Sequence, residues 1–271
     1  MNDPIGPVNP SGPVLPGEGA SDYERYLRTD ELLALQKEPA EQVHRDELLF
    51  GTVHQSSELW LKLASTEVAQ ASVLIDRDEL AGAARLLDRA VLSMQYITTQ
   101  LEMLNQMDPW EYQQIRVALG HGSGFDSPGF RQVSRVSQRI AGAFDRLLER
   151  SGLELIELYR HRREHEDMHR LAELLTDWDE RIWVWRFRHY SIVARAIGEQ
   201  SIGTQGTPVP TLGKLVAQRQ LPKLWEARSR LVEIFDAERA SAESARDRST
   251  DFRSAGPGSA DFESPGNDPR P

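Results

Sequence analysis

Small and apolar residues recur every three or four positions over most of the chain. Phe50, Val53, Ser57, Trp60, Leu61, Ala64 and Val68 fall on one helical face. So do Leu87, Ala90, Met94, Ile97, Leu101 and Leu104, and again Val133, Val136, Ile140, Phe144 and Leu147. Each stripe predicts a helix with one face in a core. No run alternates β-branched and polar residues long enough for a strand, and no fixed-period repeat is present. The predicted fold class is all-α, an antiparallel assembly of helices with mostly short connections.

Polar punctuation marks where these helices begin and end. Asp108-Pro109-Trp110-Glu111 predicts a helix start: Asp108 can cap free amides, Pro109 suits the first turn, and Glu111 holds the capping-box position. The three glycines of Gly120-His121-Gly122-Ser123-Gly124 predict a loop. Gly203-Thr204-Gln205-Gly206-Thr207-Pro208 predicts a second, followed by short helices near Thr211 and Pro222. Neither loop ends in the Lys-Ser/Thr pair of a phosphate-binding loop.

Composition changes the picture at the two ends. Pro4, Pro7, Pro10, Pro13 and Pro16 make residues 1–21 a predicted extended arm. From about Ser241 to Pro271 the chain is rich in Ser, Gly, Pro, Asp and Arg, which predicts a disordered tail over 241–271. A single helical domain is therefore expected over residues 22–240. With 271 residues, 39% of them hydrophobic, the chain can build one sizeable core.

Charge and cysteine usage exclude several classes. A net charge of −10 argues against a nucleic-acid partner. The absence of cysteine excludes disulfides, thiolate ligands, thiol nucleophiles and thioether-linked cofactors, and fits a cytoplasmic setting. No run approaches the ~18 apolar residues of a membrane span, and Met1–Ser21 lacks the charged and apolar regions of a signal peptide.

Three groups of residues could carry chemistry. His54 shares a face with Phe50 and Leu61, and His189 lies in line with Ile182, Trp185, Ile192, Val193 and Ala196. A lone histidine on such a face is ordinarily a satisfied core imidazole. Two on different long helices can also hold a flat cofactor between them, one as axial ligand. Tyr112 and Arg116, four apart, can grip a carboxylate or simply pack on each other. His165-Glu166-Asp167-Met168-His169 has the His-Glu-x-x-His spacing of a zinc peptidase. Its surroundings from His161 to Arg170 are almost wholly charged, as on a solvated helix, and no third ligand stands at a characteristic spacing.

Six collinear segments resemble the tryptophan 2,3-dioxygenase superfamily, haem-dependent aromatic oxygenases. They are Tyr23-Glu24-Arg25-Tyr26-Leu27; the run from His44 to Phe50 with Val53-His54-Gln55-Ser56-Ser57-Glu58-Leu59-Trp60; Glu111 to Arg116 with Ser123-Gly124-Phe125; Trp185-Arg186-Phe187-Arg188-His189; Gly203 to Thr207; and Pro222 to Arg228. The resemblance implies a helical haem-binding bundle and a non-covalent haem b whose iron is ligated by His189. Ser123, Gly124 and Phe125 would contact the haem. His54 would act on the distal side, hydrogen-bonding the indole N–H. Phe50, Tyr112, Arg116 and Thr204 would bind the amino acid. Tyr23, Tyr26 and Leu27 would complete a neighbouring subunit's pocket in a homotetramer that exchanges this segment.

The implied reaction inserts oxygen derived from O2 at indole C2–C3 of L-tryptophan or a substituted tryptophan, giving an N-formylkynurenine-type product. Some superfamily members are biosynthetic and insert one oxygen atom into an aromatic amino acid. This chain departs from catabolic members in a shorter stretch between Phe125 and Trp185 and in the Gly203–Pro208 loop. It also carries His121-Gly122 in place of a Pro-Ser pair.

Overall fold

The computed structural model describes residues 12–254. Among them there are ten α-helices and no β-strand, so the all-α expectation holds. Two short helices, α1 (Asp22–Leu27) and α2 (Thr29–Leu33), precede the four helices of the bundle: α3 (Glu47–Asp76), α4 (Leu80–Gln100), α6 (Pro128–Ser151) and α8 (Glu166–Ile197). The shorter α5 (Pro109–Ala118) and α7 (Leu155–Arg160) lie between these in sequence, and α9 (Val209–Val216) and α10 (Pro222–Ser254) close the chain.

The long helices form a bundle because their stripes face inward. α3 packs on α4 and α6, and α4 packs on α8. Leu61 and Ile75 of α3, Leu87 and Met94 of α4, Ile140 of α6 and Leu171 of α8 are inaccessible to solvent. Trp178 of α8 joins them, and its Nε1–H donates to Ser137 Oγ on α6 at 2.9 Å. That bond satisfies the one polar atom of the largest buried side chain. α6 reaches α3 closely only because Gly129 is a glycine: a Cβ there would lie 2.7 Å from both Glu58 Oε2 and the Leu61 Cβ.

A second, smaller core lies toward the start of α3 and the end of α8. Val53, Leu101, Leu104 and Ile192 form it, with Leu49, Phe50, Met107 and Trp185 packed against it. Gln100 binds this end together. Its side-chain N–H groups donate to Val53 O at 3.2 Å and Ser57 Oγ at 2.6 Å, and its oxygen accepts from Ser56 Oγ at 2.9 Å. α8 is held in register by Arg188, which donates to both carboxylate oxygens of Glu102. These contacts bring the start of α3, with Phe50 and His54, close to the end of α8, where the charge of His54 is felt by His189.

The termini differ from expectation. Residues 1–11 of the expected arm lie outside the described residues. From Gly12 to Ser21 the chain bends back on α1 and is not extended. The amides of Val14 and Leu15 donate to Asp22 Oδ1, and Arg25 donates to the carbonyls of Gly19 and Leu15. At the other end the expected tail from 241 is still helix, since α10 runs unbroken to Ser254, and 255–271 lie outside the described residues. The helix beginning at Pro222 is thus long, not short. No helix among the described residues is long and apolar enough to cross a membrane.

Candidate functional site

On α3, Phe50 and His54 are one turn apart, with ring centroids 4.0 Å from each other. His54 Nδ1 lies 2.7 Å from Phe50 O. A carbonyl oxygen can only accept, so Nδ1 carries the proton and the Nε2 lone pair of the neutral ring is left free. The ring keeps an accessible face, while the protein packed around its other sides desolvates it. That desolvation lowers its pKa, against the Phe50 carbonyl and the Glu58 carboxylate, which hold it up.

On α8, His189 lies within electrostatic reach of His54. Burial pushes its pKa down to about 4, and the charge of His54 adds to the fall. The imidazole is therefore neutral near pH 7. The indole of Trp185, one turn earlier, stacks on it at 4.8 Å and 9° and packs in turn on Phe130 at 3.9 Å. Trp185 Nε1 is buried without a hydrogen-bond partner.

The Ser123–Phe125 turn meets the His189 ring from the side. A Cβ on Gly124 would come within 3.8 Å of His189 Cε1 and 3.9 Å of Nε2. The turn is built by a capping box in which Ser123 N donates to Asp126 Oδ2 at 3.1 Å and Phe125 N donates to Ser123 Oγ at 3.4 Å. Phe125 itself is exposed.

α5 starts as its sequence predicts, with Asp108 Oδ1 accepting from the amides of Trp110 and Glu111. Glu111 does not complete a capping box. Its carboxylate lies 3.5 Å from His44 Nε2 instead. Tyr112 turns toward Phe50, with centroids 6.0 Å apart, and burial raises its pKa against the opposing charge of Arg116. Arg116 shares its helix face and donates to Gln113 Oε1 at 3.4 Å and to Ile202 O.

The two predicted loops meet. Thr204 Oγ1 donates to Gly122 O at 2.5 Å, and Gln205 Nε2 donates to Asp126 Oδ2 at 2.6 Å. Phe50, His54, Tyr112, Arg116, Ser123, Gly124, His189 and Thr204 are thus linked through one chain of contacts. Tyr23, Tyr26 and Leu27 are not part of it in this single chain. They stand exposed on α1, with the two tyrosines 67% and 78% accessible. The segment that follows is tied to α3 beside His54, where Gln36 Nε2 donates to Gln55 Oε1 at 2.6 Å.

Among the described residues, His165 and His169 belong to no group of three or more ligands with metal-compatible spacing. His165 precedes α8 and lacks helical geometry, so Glu166 opens the helix. His169 meets the edge of Tyr159 at 5.3 Å. Among the described residues, the group with metal-compatible spacing is His44, Asp46 and Glu111. There the Asp46 amide already donates to His44 Nδ1 at 3.2 Å, and Glu111 faces Nε2, so both ring nitrogens are engaged. This is a polar clasp between the start of α3 and the first turn of α5. Sequence reasoning missed it, along with the Trp185–His189 stack and the Gln100 clamp. Trp185 alone left a trace, in its i, i+4 spacing to His189.

The profile of the tryptophan 2,3-dioxygenase family matches residues 11–143 and 143–231. Similar curated proteins, each named tryptophan 2,3-dioxygenase, come from Erythrobacter litoralis (32% identical over 258 residues, 76% of this chain and 97% of the relative), Bordetella parapertussis (30% over 260 residues, 77% and 90%) and Myxococcus xanthus (29% over 264 residues, 79% and 90%). An alignment of 258 positions that takes in 76% of this chain leaves residues of the relative without a counterpart here. The profile breaks at Ala143, inside α6, within the stretch expected to be short.

Proposed function

The chain belongs to the tryptophan 2,3-dioxygenase family, and on that premise we propose that it is a haem-dependent oxygenase adding both atoms of O2 across indole C2–C3 of L-tryptophan. The observation that carries this reading is the pairing of two neutral imidazoles across one site, His54 with a free Nε2 lone pair and His189 held neutral by burial.

The residues present fit a haem. His189 offers an uncharged imidazole, the form that can bind iron. The buried, unpartnered Trp185 Nε1–H beside it is a donor available to an anionic edge of the cofactor. Gly124 keeps the flank of His189 free of side-chain bulk, and Ser123 and Phe125 lie on the same turn. The resemblance implies a non-covalent haem b ligated by His189, and the absence of cysteine agrees with it in excluding thioether attachment. When bound, it supplies the activation of O2, and the protein supplies orientation and a dry pocket.

The chain's own residues account for the rest. His54 Nε2 accepts the indole N–H, which orients the ring over the site, and Phe50 packs on it. Arg116 uses two donors on Gln113 and Ile202 and has five in all, so others remain for the substrate carboxylate. Tyr112 is held in its protonated form and adds a hydroxyl donor. Thr204 donates its proton to Gly122 and keeps lone pairs for the substrate ammonium. Exposed Tyr23, Tyr26 and Leu27 would close the pocket of a second copy within a homotetramer, acting in the cytoplasm.

The test is product mass after turnover in ¹⁸O2 with tryptophan and with methylated tryptophans. Two labelled atoms in a ring-opened product are expected. One labelled atom on an intact ring would replace the reading with monooxygenation of an aromatic amino acid. No labelled product from any indole amino acid would overturn it.

A further inference from the structure

The loop from Ile202 to Pro208 is a closed hairpin-like turn. Ile202 and Pro208 form a bridge at its base, Gly203 N donates to Thr207 O at 2.8 Å, and Gly206 N donates to Gly203 O at 3.0 Å. Gly206 adopts a φ of +77°, which a side chain would resist, so the sharp reversal falls there. The reversal puts Thr204 and Gln205 at the tip. Both tip side chains reach across to the Gly122–Asp126 segment, about eighty residues earlier in the chain.

The partner of Gln205 matters. Asp126 Oδ2 receives the Gln205 amide at 2.6 Å and also the Ser123 amide at 3.1 Å. A carboxylate that accepts two N–H donors makes charge-assisted bonds, which are stronger than neutral ones. The same carboxylate therefore shapes the turn that sets Gly124 against His189 and anchors the tip of the opposite loop. Thr204, the neighbour of Gln205, is thereby held with its hydroxyl proton committed to Gly122 O and its lone pairs free. An ammonium group can only donate, so this orientation is the one that receives it.

We propose that Gln205 is a positioning residue: through Asp126 it latches the Gly203–Thr207 loop onto the turn beside His189, so that Thr204 is held as an acceptor for the α-ammonium group of an amino-acid substrate. The substrate part rests on the function proposed above; the latch itself does not. A substrate without a charged amine, such as an N-acylated tryptophan, keeps one neutral amide N–H in place of three charged donors and gains less from Thr204.

The test is a cycle of three variants of the haem-loaded full chain. Gln205→Glu sets two carboxylates against each other and should release the loop. Adding Asp126→Asn removes the repulsion: the Asn oxygen takes the place of Oδ2 toward Ser123 N, and its Nδ2, at the Oδ1 position, donates to the new carboxylate after a small shift of the loop tip. Asp126→Asn alone is the third variant. Hydrogen exchange of the amides of 203–207, measured without tryptophan, should speed up about tenfold in Gln205→Glu, the scale of one lost charged hydrogen bond. It should return to within about twofold of the parent in the double variant, with the Soret band unchanged throughout. The KM for tryptophan should rise about tenfold in Gln205→Glu with kcat little changed, and recover in the double variant. Unchanged exchange in Gln205→Glu, or failure of the double variant to recover, overturns the latch. Faster exchange with an unaltered KM overturns the presetting of Thr204. A parent that does not bind tryptophan overturns the functional reading, while the exchange data still decide the latch.

Discussion

The indole of Trp185 lies parallel to the imidazole of His189, 4.8 Å away and inclined by 9°. Stacking at i, i+4 on a helix restricts rotation of the imidazole, and Phe130 packs on Trp185 in turn. The orientation of the His189 ring is therefore built into α8.

Removal of the stack should loosen the cofactor. Trp185→Ala is expected to speed haem loss to a scavenger globin, and Trp185→Phe, which keeps an aromatic face, to do so less. His189→Ala should abolish stable haem binding, and His169→Ala, whose ring packs on Tyr159, should leave both haem and activity intact. A His189→Ala protein with a normal ferrous-CO spectrum would exclude His189 as the ligand.

Arg116 and Tyr112 predict a requirement for the substrate carboxylate. Arg116→Ala should weaken tryptophan binding by about 1.5–3 kcal/mol, the range for a charged hydrogen bond. Tryptamine, which lacks the carboxylate, should bind the parent poorly. Equal affinities for tryptamine and tryptophan, by titration calorimetry, would remove Arg116 from this role.

As the proposed acceptor of the indole N–H, His54 should set an acid limit on activity. Burial lowers its pKa from 6.5, so the ring stays neutral to a lower pH than a free histidine. Its Nε2 lone pair accepts only in the neutral form. The acid limb of the kcat/KM profile for tryptophan should therefore have its midpoint below pH 6.5. A midpoint at or above 6.5 would contradict the assignment, as would a His54→Ala variant with the same acid limb.

Gly129→Ala tests the crossing that brings the Ser123–Asp126 turn to the site. The added Cβ would meet the Leu61 Cβ at 2.7 Å, a contact between two elements of the bundle that cannot rotate away. A loss of about 1–3 kcal/mol is expected from such overpacking, with the urea midpoint lowered. Unchanged stability would show that α6 can move off α3 freely.

The exposed aromatic face of α1 predicts a role in assembly. Tyr23→Ser with Tyr26→Ser should lower kcat/KM and shift the sedimentation profile to smaller species, while haem content is retained. An assembled, fully active double variant would refute segment exchange.

What the sequence determined by itself was local. The stripes on α3, α4 and α6 were legible because burial of one helical face imposes a 3.6-residue period, and Leu61, Leu87, Met94 and Ile140 are fully buried as that period requires. Asp108 and the glycines of the two loops were legible because caps and sharp turns depend on near neighbours. The facing of His54 and His189 could be posed from periodicity but not decided, since the angular relation of α3 to α8 comes from packing through α4 and the small core of Val53, Leu101, Leu104 and Ile192.

Tertiary structure alone decided the remainder. His165-Glu166-Asp167-Met168-His169 carries a metal-binding spacing, yet α8 begins inside it, and a shared helical face needs both histidines within the helix. α10 passes through the composition change at Ser241, since Ser, Ala, Glu and Arg continue a helix already nucleated at Pro222. The Gln205–Asp126 and Thr204–Gly122 bonds join segments about eighty residues apart. No local pattern encodes such a pairing: both loops are polar and glycine-rich, and only the crossing of α6 on α3 at Gly129, together with the length of α8, brings their tips within hydrogen-bond reach.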